Sequence, residues 1–130
     1  MAEVNEQYWH RYYQTHNEAR FVDLVDEFFH VDGALENPNY EVRGRDALLD
    51  YFQGASEHAQ LTLVPHAILV KPGVSATEDD FIVEPRIDLP DFVTGPLKAG
   101  ERTKIRMAGF YHMDDDRITL ARIYWGRTIS

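Results

Sequence analysis

Apolar side chains in the first half of the chain recur at the spacing of an α-helix. Residues three or four positions apart lie on one face of a helix, so each such stripe predicts an amphipathic helix. Asn17 is a residue type that caps helix N-termini, and we expect it to begin the second helix. The three stripes are Val4, Tyr8, Trp9, Tyr12 and Tyr13; Phe21, Val25, Phe28 and Phe29; and Leu48, Tyr51, Phe52 and Ala55.

The second half of the chain, together with a short segment over 30–36, is typical of β-strands. Long apolar runs cover residues 61–70 and 77–88, and two further strands meet at the acidic turn 114–117. Pro65 lies inside the first run and predicts an edge strand or a bulge, because proline cannot donate to a strand ladder. Residues 89–100 contain two prolines and two glycines and are predicted to form a loop.

Helices followed by long antiparallel strands predict a single α+β domain over residues 1–130. We expect three N-terminal helices packed on a strongly curved, mostly antiparallel sheet that forms a cone open at one end. The prolines and glycines within the strands favour this curvature, since such residues bend sheets.

Composition narrows the possible functions. The chain has 130 residues, a formal charge of −9 and no cysteine. The acidic charge argues against a nucleic-acid partner, which needs a basic face, and the lack of cysteine excludes disulfides and thiolate metal sites. The sequence contains no apolar run of about 20 residues and no signal peptide, so we expect no membrane partner and a cytoplasmic protein.

No bound metal or other cofactor is expected. The histidines His30, His66 and His112 lack the spacing of a ligand set, and no glycine-rich phosphate loop is present.

Arg86 and Asp88 are the main candidates for chemistry. Two residues apart on a strand, they should lie on one side of it, where a guanidinium can orient a carboxylate that handles a proton. Glu84, two residues before Arg86, should lie on the same side of the strand and is a further candidate acid or base. The alternative is a surface ion pair, which contributes only about 0–1 kcal/mol to stability.

The motifs Glu84–Asp88, Met107–Phe110 and Ile118–Trp125 resemble those of limonene-epoxide hydrolases, within the nuclear transport factor 2-like (SnoaL-like, cystatin-like) superfamily. This resemblance implies the cone-shaped fold, with Arg86 and Asp88 holding and protonating an epoxide oxygen and Asn37 positioning water. Two members of that family's set are absent. Gly126 stands where its water-activating Asp belongs, and Leu35 where a Tyr belongs.

The chain also resembles Δ5-3-ketosteroid isomerases loosely, since Tyr13 falls near the oxyanion-hole Tyr of that family. Asn37 and Ala108 replace its two acids. Steroid isomerisation is therefore not expected, because both proton-handling groups are missing.

We therefore expect a cofactor-independent enzyme that acts on a small apolar ligand with one oxygen, by epoxide hydrolysis, isomerisation or polyketide cyclase-like cyclisation. The alternative is a non-catalytic binding or dimerisation module of the same fold. As in relatives, a homodimer through the convex sheet face is expected.

Tyr124 and Trp125 point to opposite faces of their strand, and the two resemblances disagree on which of the two residues faces inward. The predicted site consists of Arg86, Asp88 and Asn37, with a pocket of Tyr13, Trp9, Leu35, Glu84, Met107, Phe110, Tyr124 and Trp125.

Overall fold

The computed structural model describes residues 3–92 and 94–129. Positions 1, 2 and 130 of the predicted domain, and position 93 of the predicted loop, lie outside the described residues. The predicted α+β fold is confirmed, with one short strand that the sequence did not indicate, β2. The helices are α1 (Glu6–Asn17), α2 (Phe21–Phe28) and α3 (Arg45–Glu57). The strands are β1 (Phe29–Glu36), β2 (Glu41–Arg43), β3 (Ala59–Lys71), β4 (Val74–Pro85), β5 (Thr103–Asp114) and β6 (Arg117–Thr128).

The described strands form one curled sheet in the order β2-β1-β6-β5-β4-β3. All neighbours are antiparallel except β1 and β6, which run parallel. Strand β3 lies at an edge, and its register with β4 shifts between Pro65 and Ala67. The proline therefore occupies both an edge strand and a bulge, as its missing N–H requires.

The helices cover the concave face of the sheet. Asn5 caps α1, its Oδ1 accepting a hydrogen bond from the Tyr8 backbone N–H at 2.9 Å. The apolar stripe of α1 then packs against the sheet, with the rings of Trp9 and Tyr111 4.5 Å apart. Gly109 allows this arrangement, because a Cβ there would lie 2.7 Å from the Tyr111 ring. No helix among the described residues is long and apolar enough to cross a membrane.

Several predicted boundaries are wrong: Phe29 begins β1 and does not belong to α2, β4 begins at Val74, and two further errors concern the candidate site. Asn17 is the last residue of α1, and Arg20 takes the N-cap position of α2. Strand β4 ends at Pro85, so Arg86 and Asp88 lie in the loop that follows and not on a strand face.

The structure settles which of the last two aromatic residues faces inward. Met107 and Trp125 are cross-strand partners on the concave side, whereas the neighbouring pair Ala108 and Tyr124 points outward. Trp125 therefore faces the helices, and Tyr124 is 48% exposed on the convex side.

Candidate functional site

Two adjoining spaces lie between α3, the concave face of the sheet and the loop after β4. The outer one, which we call the mouth groove, has a volume of about 520 Å³ and is lined by residues such as Tyr40, Asp50, Leu89 and Phe92. The inner chamber, of about 50 Å³, lies deeper in the cone. Both are lined by Tyr51, Ala55, Phe81 and Trp125, so the groove leads to the chamber.

An aromatic stack forms one wall of this path. The rings of Phe81 and Trp125 are stacked with centroids 6.0 Å apart, and Phe81 and Phe92 are stacked at 6.5 Å. The stack extends from the sheet to the loop, where backbone hydrogen bonds join Leu89 and Leu97 in both directions. The wall is therefore apolar and suits a ligand with a large hydrocarbon surface.

Two buried hydrogen-bond donors near this path have no acceptor within the described residues. They are Nε1 of Trp125, a residue that lines both spaces, and Nδ2 of Asn37, a residue that lines neither. The Asn37 oxygen accepts from the backbone N–H groups of Asn39 and Tyr40, at 2.9 and 3.0 Å, so only its amide nitrogen remains available. A buried donor without a partner costs about 1–3 kcal/mol, and a ligand oxygen could recover that energy.

The Asn37 side chain also lies beside Tyr51, which lines both spaces. Burial is the largest effect on Tyr51 and raises the pKa of its hydroxyl to about 12, while the nearby Asn37 amide acts to lower it. Nevertheless, no described residue lies at the distance and angle that a hydrogen bond from Nδ2 of Asn37 requires.

Among the described residues that line the inner chamber, His16 is the one histidine, and no aspartate or glutamate accompanies it. The ring lies between Phe21 and Phe52, with centroid distances of 5.6 and 6.2 Å. Its Nδ1 lies 3.0 Å from Oδ1 of Asn17. Burial lowers the pKa of His16, although the contact with Asn17 acts in the opposite direction, so the imidazole is neutral at pH 7.

Asp79 on β4 is a second buried ionisable group, but it lies behind the chamber wall. Its Oδ1 accepts from the Tyr13 hydroxyl at 2.6 Å, and its Oδ2 accepts from the Thr77 hydroxyl at 3.3 Å. Burial raises the pKa of Asp79 to about 6, although both hydrogen bonds act to lower it. The carboxyl is fully buried, with both oxygens partnered.

The predicted placement of Arg86 and Asp88 inside the cone is wrong. Both residues are exposed. Arg86 Nη1 reaches the Ser56 carbonyl oxygen at 3.4 Å, and Asp88 Oδ1 accepts from the Ala99 backbone N–H at 2.9 Å. Asp88 therefore closes the loop at its base. A longer β4 would not have turned it inward, because Asp88 shares the alternation of Glu84, which is exposed on the convex side of the sheet.

The other predicted pocket residues divide into three groups. Leu35, Met107 and Trp125 line the inner chamber. Trp9 and Tyr13 are buried in the core and are not part of the cavity lining. The remaining three predicted positions are wrong, because they are exposed on the convex side of the sheet: Glu84, Phe110 and Tyr124.

Gly126 lies on the outward face of β6, which it shares with Tyr124, whereas Trp125 points to the inward face. A Cβ at this position would lie 2.9 Å from the Arg106 carbonyl oxygen. A carboxylate there would not reach the cavity, so the missing Asp cannot be supplied from this position.

Sequence reasoning missed both His16 and Asp79. His16 continues the helical stripe of Trp9, Tyr12 and Tyr13 by three residues, and that period could have placed it inward. Asp79 precedes Asp80 on β4, and strand alternation requires one of two adjacent acids to face the concave side.

Among the described residues, no group of three histidine, aspartate or glutamate side chains is arranged to hold a metal ion. The expectation that the protein needs no metal and no other cofactor stays a prediction.

Comparisons with known proteins agree with this architecture. A family model described as a SnoaL-like domain matches residues 9–121. A candidate polyketide cyclase from Xanthomonas campestris pv. campestris superposes with a TM-score of 0.78 at 15% identity, covering 93% of this chain and 89% of that one. None of the curated proteins matches the sequence significantly.

Two further structures carry names of other activities. An LEH-like epoxide hydrolase from Mycobacterium tuberculosis has a TM-score of 0.72 and 19% identity, covering 92% of this chain and 80% of that one. A protein with a ketosteroid isomerase-like fold from Catenulispora acidiphila, in complex with trimethylamine, has a TM-score of 0.73 and 10% identity, with coverages of 95% and 88%. At these identities the likeness establishes a shared fold and no shared activity.

Proposed function

The chain belongs to the SnoaL-like domain family, and from the geometry of its cavity we propose that it binds a small apolar molecule with an oxygen function and performs acid–base chemistry on it without a cofactor. The observation that carries this proposal is the continuous path from the mouth groove to the inner chamber. That path combines aromatic walls, a buried histidine and the unpaired N–H of Trp125.

The dimensions of the path support a ligand of modest size. Small-molecule sites typically measure about 300–1,000 Å³ and present few polar groups on a largely apolar wall. The mouth groove, at about 520 Å³, lies in this range. The inner chamber has room for only a few atoms, so the oxygen-bearing end of the ligand enters it while the hydrocarbon body stays in the groove.

Of the reaction types expected from the sequence, isomerisation and cyclisation suit the site better than epoxide hydrolysis. The hydrolase mechanism assigned the protonating acid to Asp88, which the structure places in solvent. Isomerisation and cyclisation of ketones begin with removal of a proton beside a carbonyl group. They need a base and N–H donors that stabilise the resulting oxyanion.

A binding module without catalysis is the second candidate. It is favoured by the position of Arg86 and Asp88 outside the cavity, which leaves the chamber without a carboxylate among its described lining residues. Such a module would bind the same apolar ligands and release them chemically unchanged.

Calorimetric titration with β-tetralone, a bicyclic ketone, and with its oxygen-free counterpart tetralin tests the binding proposal. We expect the ketone to bind about five-fold more tightly, the effect of about 1 kcal/mol from one additional hydrogen bond. Ala55 lines both spaces, and Ala55→Phe should abolish binding. Gln53 is exposed on the same helix, and Gln53→Phe is the matched control. Equal binding by both variants would place the ligand elsewhere and overturn the proposal.

We also propose that the convex face of the sheet forms a homodimer. Leu69, Ala76 and Phe110 are adjacent on neighbouring strands β3, β4 and β5. The rings of Phe110 and Tyr124 meet edge to face at 6.3 Å. Leu69 is 68% exposed and Phe110 46% exposed, so a second copy would remove a contiguous apolar surface from water.

Sedimentation equilibrium tests the dimer, whose mass should be twice the 15.1 kDa of the chain. Phe110→Lys should shift the protein towards the monomer. Val31→Lys is the control, because Val31 is also apolar and 65% exposed but lies on β1, away from this surface. A wild-type monomer at high micromolar concentration would contradict the proposal.

A further inference from the structure

We propose that His16 is the base of this cavity and that Asn17 is a positioning residue that fixes its tautomer, leaving Nε2 free to remove a proton from carbon beside a ketone carbonyl. This assignment rests on the proposed function, because it requires a ligand in the inner chamber. It comes from hydrogen bonds that connect the end of α1 to strand β3.

The Asn17 side-chain amide has one allowed orientation. Its Nδ2 donates to the Leu63 carbonyl oxygen at 2.9 Å, and its Oδ1 accepts from the Leu63 backbone N–H at 2.8 Å. The opposite orientation would place two donors against each other and two acceptors against each other. The backbone of β3 therefore determines that Oδ1 is the Asn17 atom 3.0 Å from the His16 ring.

The amide orientation determines the tautomer of His16. A side-chain amide oxygen only accepts hydrogen bonds, so the Nδ1 atom facing it must carry the hydrogen. Neutral imidazole has a single N–H, so its Nε2 bears a lone pair. Within the described residues, Nε2 has no hydrogen-bond partner.

The surroundings keep this base neutral and in place. Phe21 and Phe52 contact the ring, and burial is the main cause of the lowered pKa of His16. Apart from burial, only the hydrogen bond with Asn17 affects the pKa of His16, and no charged side chain among the described residues does so. The imidazole is therefore a free base at pH 7 that needs no prior loss of a proton.

The chemical step balances without any other reactant. Nε2 takes the proton of the carbon beside the carbonyl, and the electrons of the broken C–H bond form a C=C bond while the carbonyl electrons move to oxygen. The enolate oxygen can be stabilised by the unpaired N–H of Trp125, which lines both spaces. The imidazolium then returns its proton to the same carbon or to another, which gives exchange or isomerisation.

The tautomer can be tested without a ligand. Long-range ¹H–¹⁵N correlation spectra of the wild-type protein at pH 7 should show His16 protonated at Nδ1 and unprotonated at Nε2. Asn17→Ala should give a mixture of tautomers. A wild-type His16 protonated at Nε2, or one that is a cation at pH 7, would overturn the proposal whether or not a ligand binds.

Exchange of the hydrogens of β-tetralone for deuterium, followed by NMR, tests the chemistry. We expect His16→Asn, which keeps an N–H for Asn17 but removes the base, to slow exchange by at least about 100-fold. Asn17→Asp should move the midpoint of the pH profile of exchange upwards, because a carboxylate beside Nδ1 stabilises imidazolium. A merely structural role for Asn17 would not move this midpoint.

The outcomes separate the two proposals. If the wild-type protein does not bind β-tetralone, the proposed function fails. If it binds the ketone but exchanges hydrogens no faster than His16→Asn, the assignment of the base is wrong and the binding module is supported. Should His16→Asn fail to fold, the pH profile of Asn17→Asp decides, and an unchanged midpoint rejects the assignment.

Discussion

Asp79 and His16 are both buried ionisable residues facing the concave side of the sheet, but their hydrogen bonding differs. Asp79 is 0% exposed and both carboxylate oxygens accept hydrogen bonds from hydroxyl groups. His16 is 4% exposed, and only one of its two nitrogens has a partner. A buried polar group with a complete set of partners serves the fold, whereas an incomplete set beside a cavity leaves an atom for a ligand.

The same comparison applies to the aromatic residues around them, with one restriction. The Tyr13 hydroxyl is bonded to Asp79, while Nε1 of Trp125 has no acceptor. Nε1 of Trp9 and Oγ of Ser75 are also unpaired, yet neither residue lines the chamber or the mouth groove. A missing partner therefore indicates a ligand site only where the side chain also borders a cavity.

The largest effect should come from Asp79→Asn. The pKa of Asp79 rises from 3.8 to about 6 on folding, so the folded state retains a proton that the unfolded state has lost between about pH 4 and 6. The wild-type protein should therefore lose about 3 kcal/mol of stability as the pH rises through this window, relative to the variant. Urea unfolding of both proteins at pH 4 and pH 8 measures the difference. An equal dependence on pH in both would show that Asp79 ionises normally.

Tyr13→Phe should destabilise the fold by about 2 kcal/mol at pH 8, because a buried carboxylate loses a hydrogen-bond donor. The cost should be smaller at pH 4, where Asp79 is protonated. Tyr12→Phe is the matched control on the same helix, since the Tyr12 hydroxyl forms no hydrogen bond within the described residues. Equal losses in the two variants would contradict the structural role assigned to the Tyr13–Asp79 pair.

Trp125→Phe should lower stability by only about 1 kcal/mol, since its N–H has no acceptor to lose. It should also remove the preference for β-tetralone over tetralin in calorimetric titrations. Trp9→Phe deletes the same atoms away from the cavity and should leave that preference intact. If Trp125→Phe keeps the preference, its N–H does not bind the ligand oxygen.

Asp88→Asn should have the smallest effect, with a change in stability below about 0.5 kcal/mol. An Asn side chain still offers an oxygen to the Ala99 N–H, and the residue lies outside the cavity. Deuterium exchange of β-tetralone should match the wild-type rate. A marked loss of exchange would restore Asp88 to the mechanism.

The sequence predicted the fold well because its signals are long and local. Stripes over more than two helical turns identified α1 and α3, and Pro65 indicated the bulge in edge strand β3. Which face of a strand is buried is harder to predict from the sequence. Alternation shows that Tyr124 and Trp125 lie on opposite faces, but only the packing of the helices decides which face is inside.

The candidate site was predicted less well because it depends on one strand end and on distant contacts. The argument for Arg86 and Asp88 required β4 to continue past Pro85, where it ends. The role of His16 depends on Leu63, which is 46 residues from Asn17 in sequence and adjacent to it only in the folded chain. No local pattern contains that contact.

The bond between Asn17 and Leu63 has a further consequence for association between molecules. Strand β3 is one of the two outer strands of the sheet, and unpaired backbone groups on an outer strand can recruit a strand from another chain. Asn17 occupies both outward groups of Leu63, beside Val64, which is 40% exposed. Replacing Asn17 with an apolar residue would therefore expose an aggregation-prone edge and also disturb His16. Selection against aggregation and selection for catalysis would then act on the same side-chain amide.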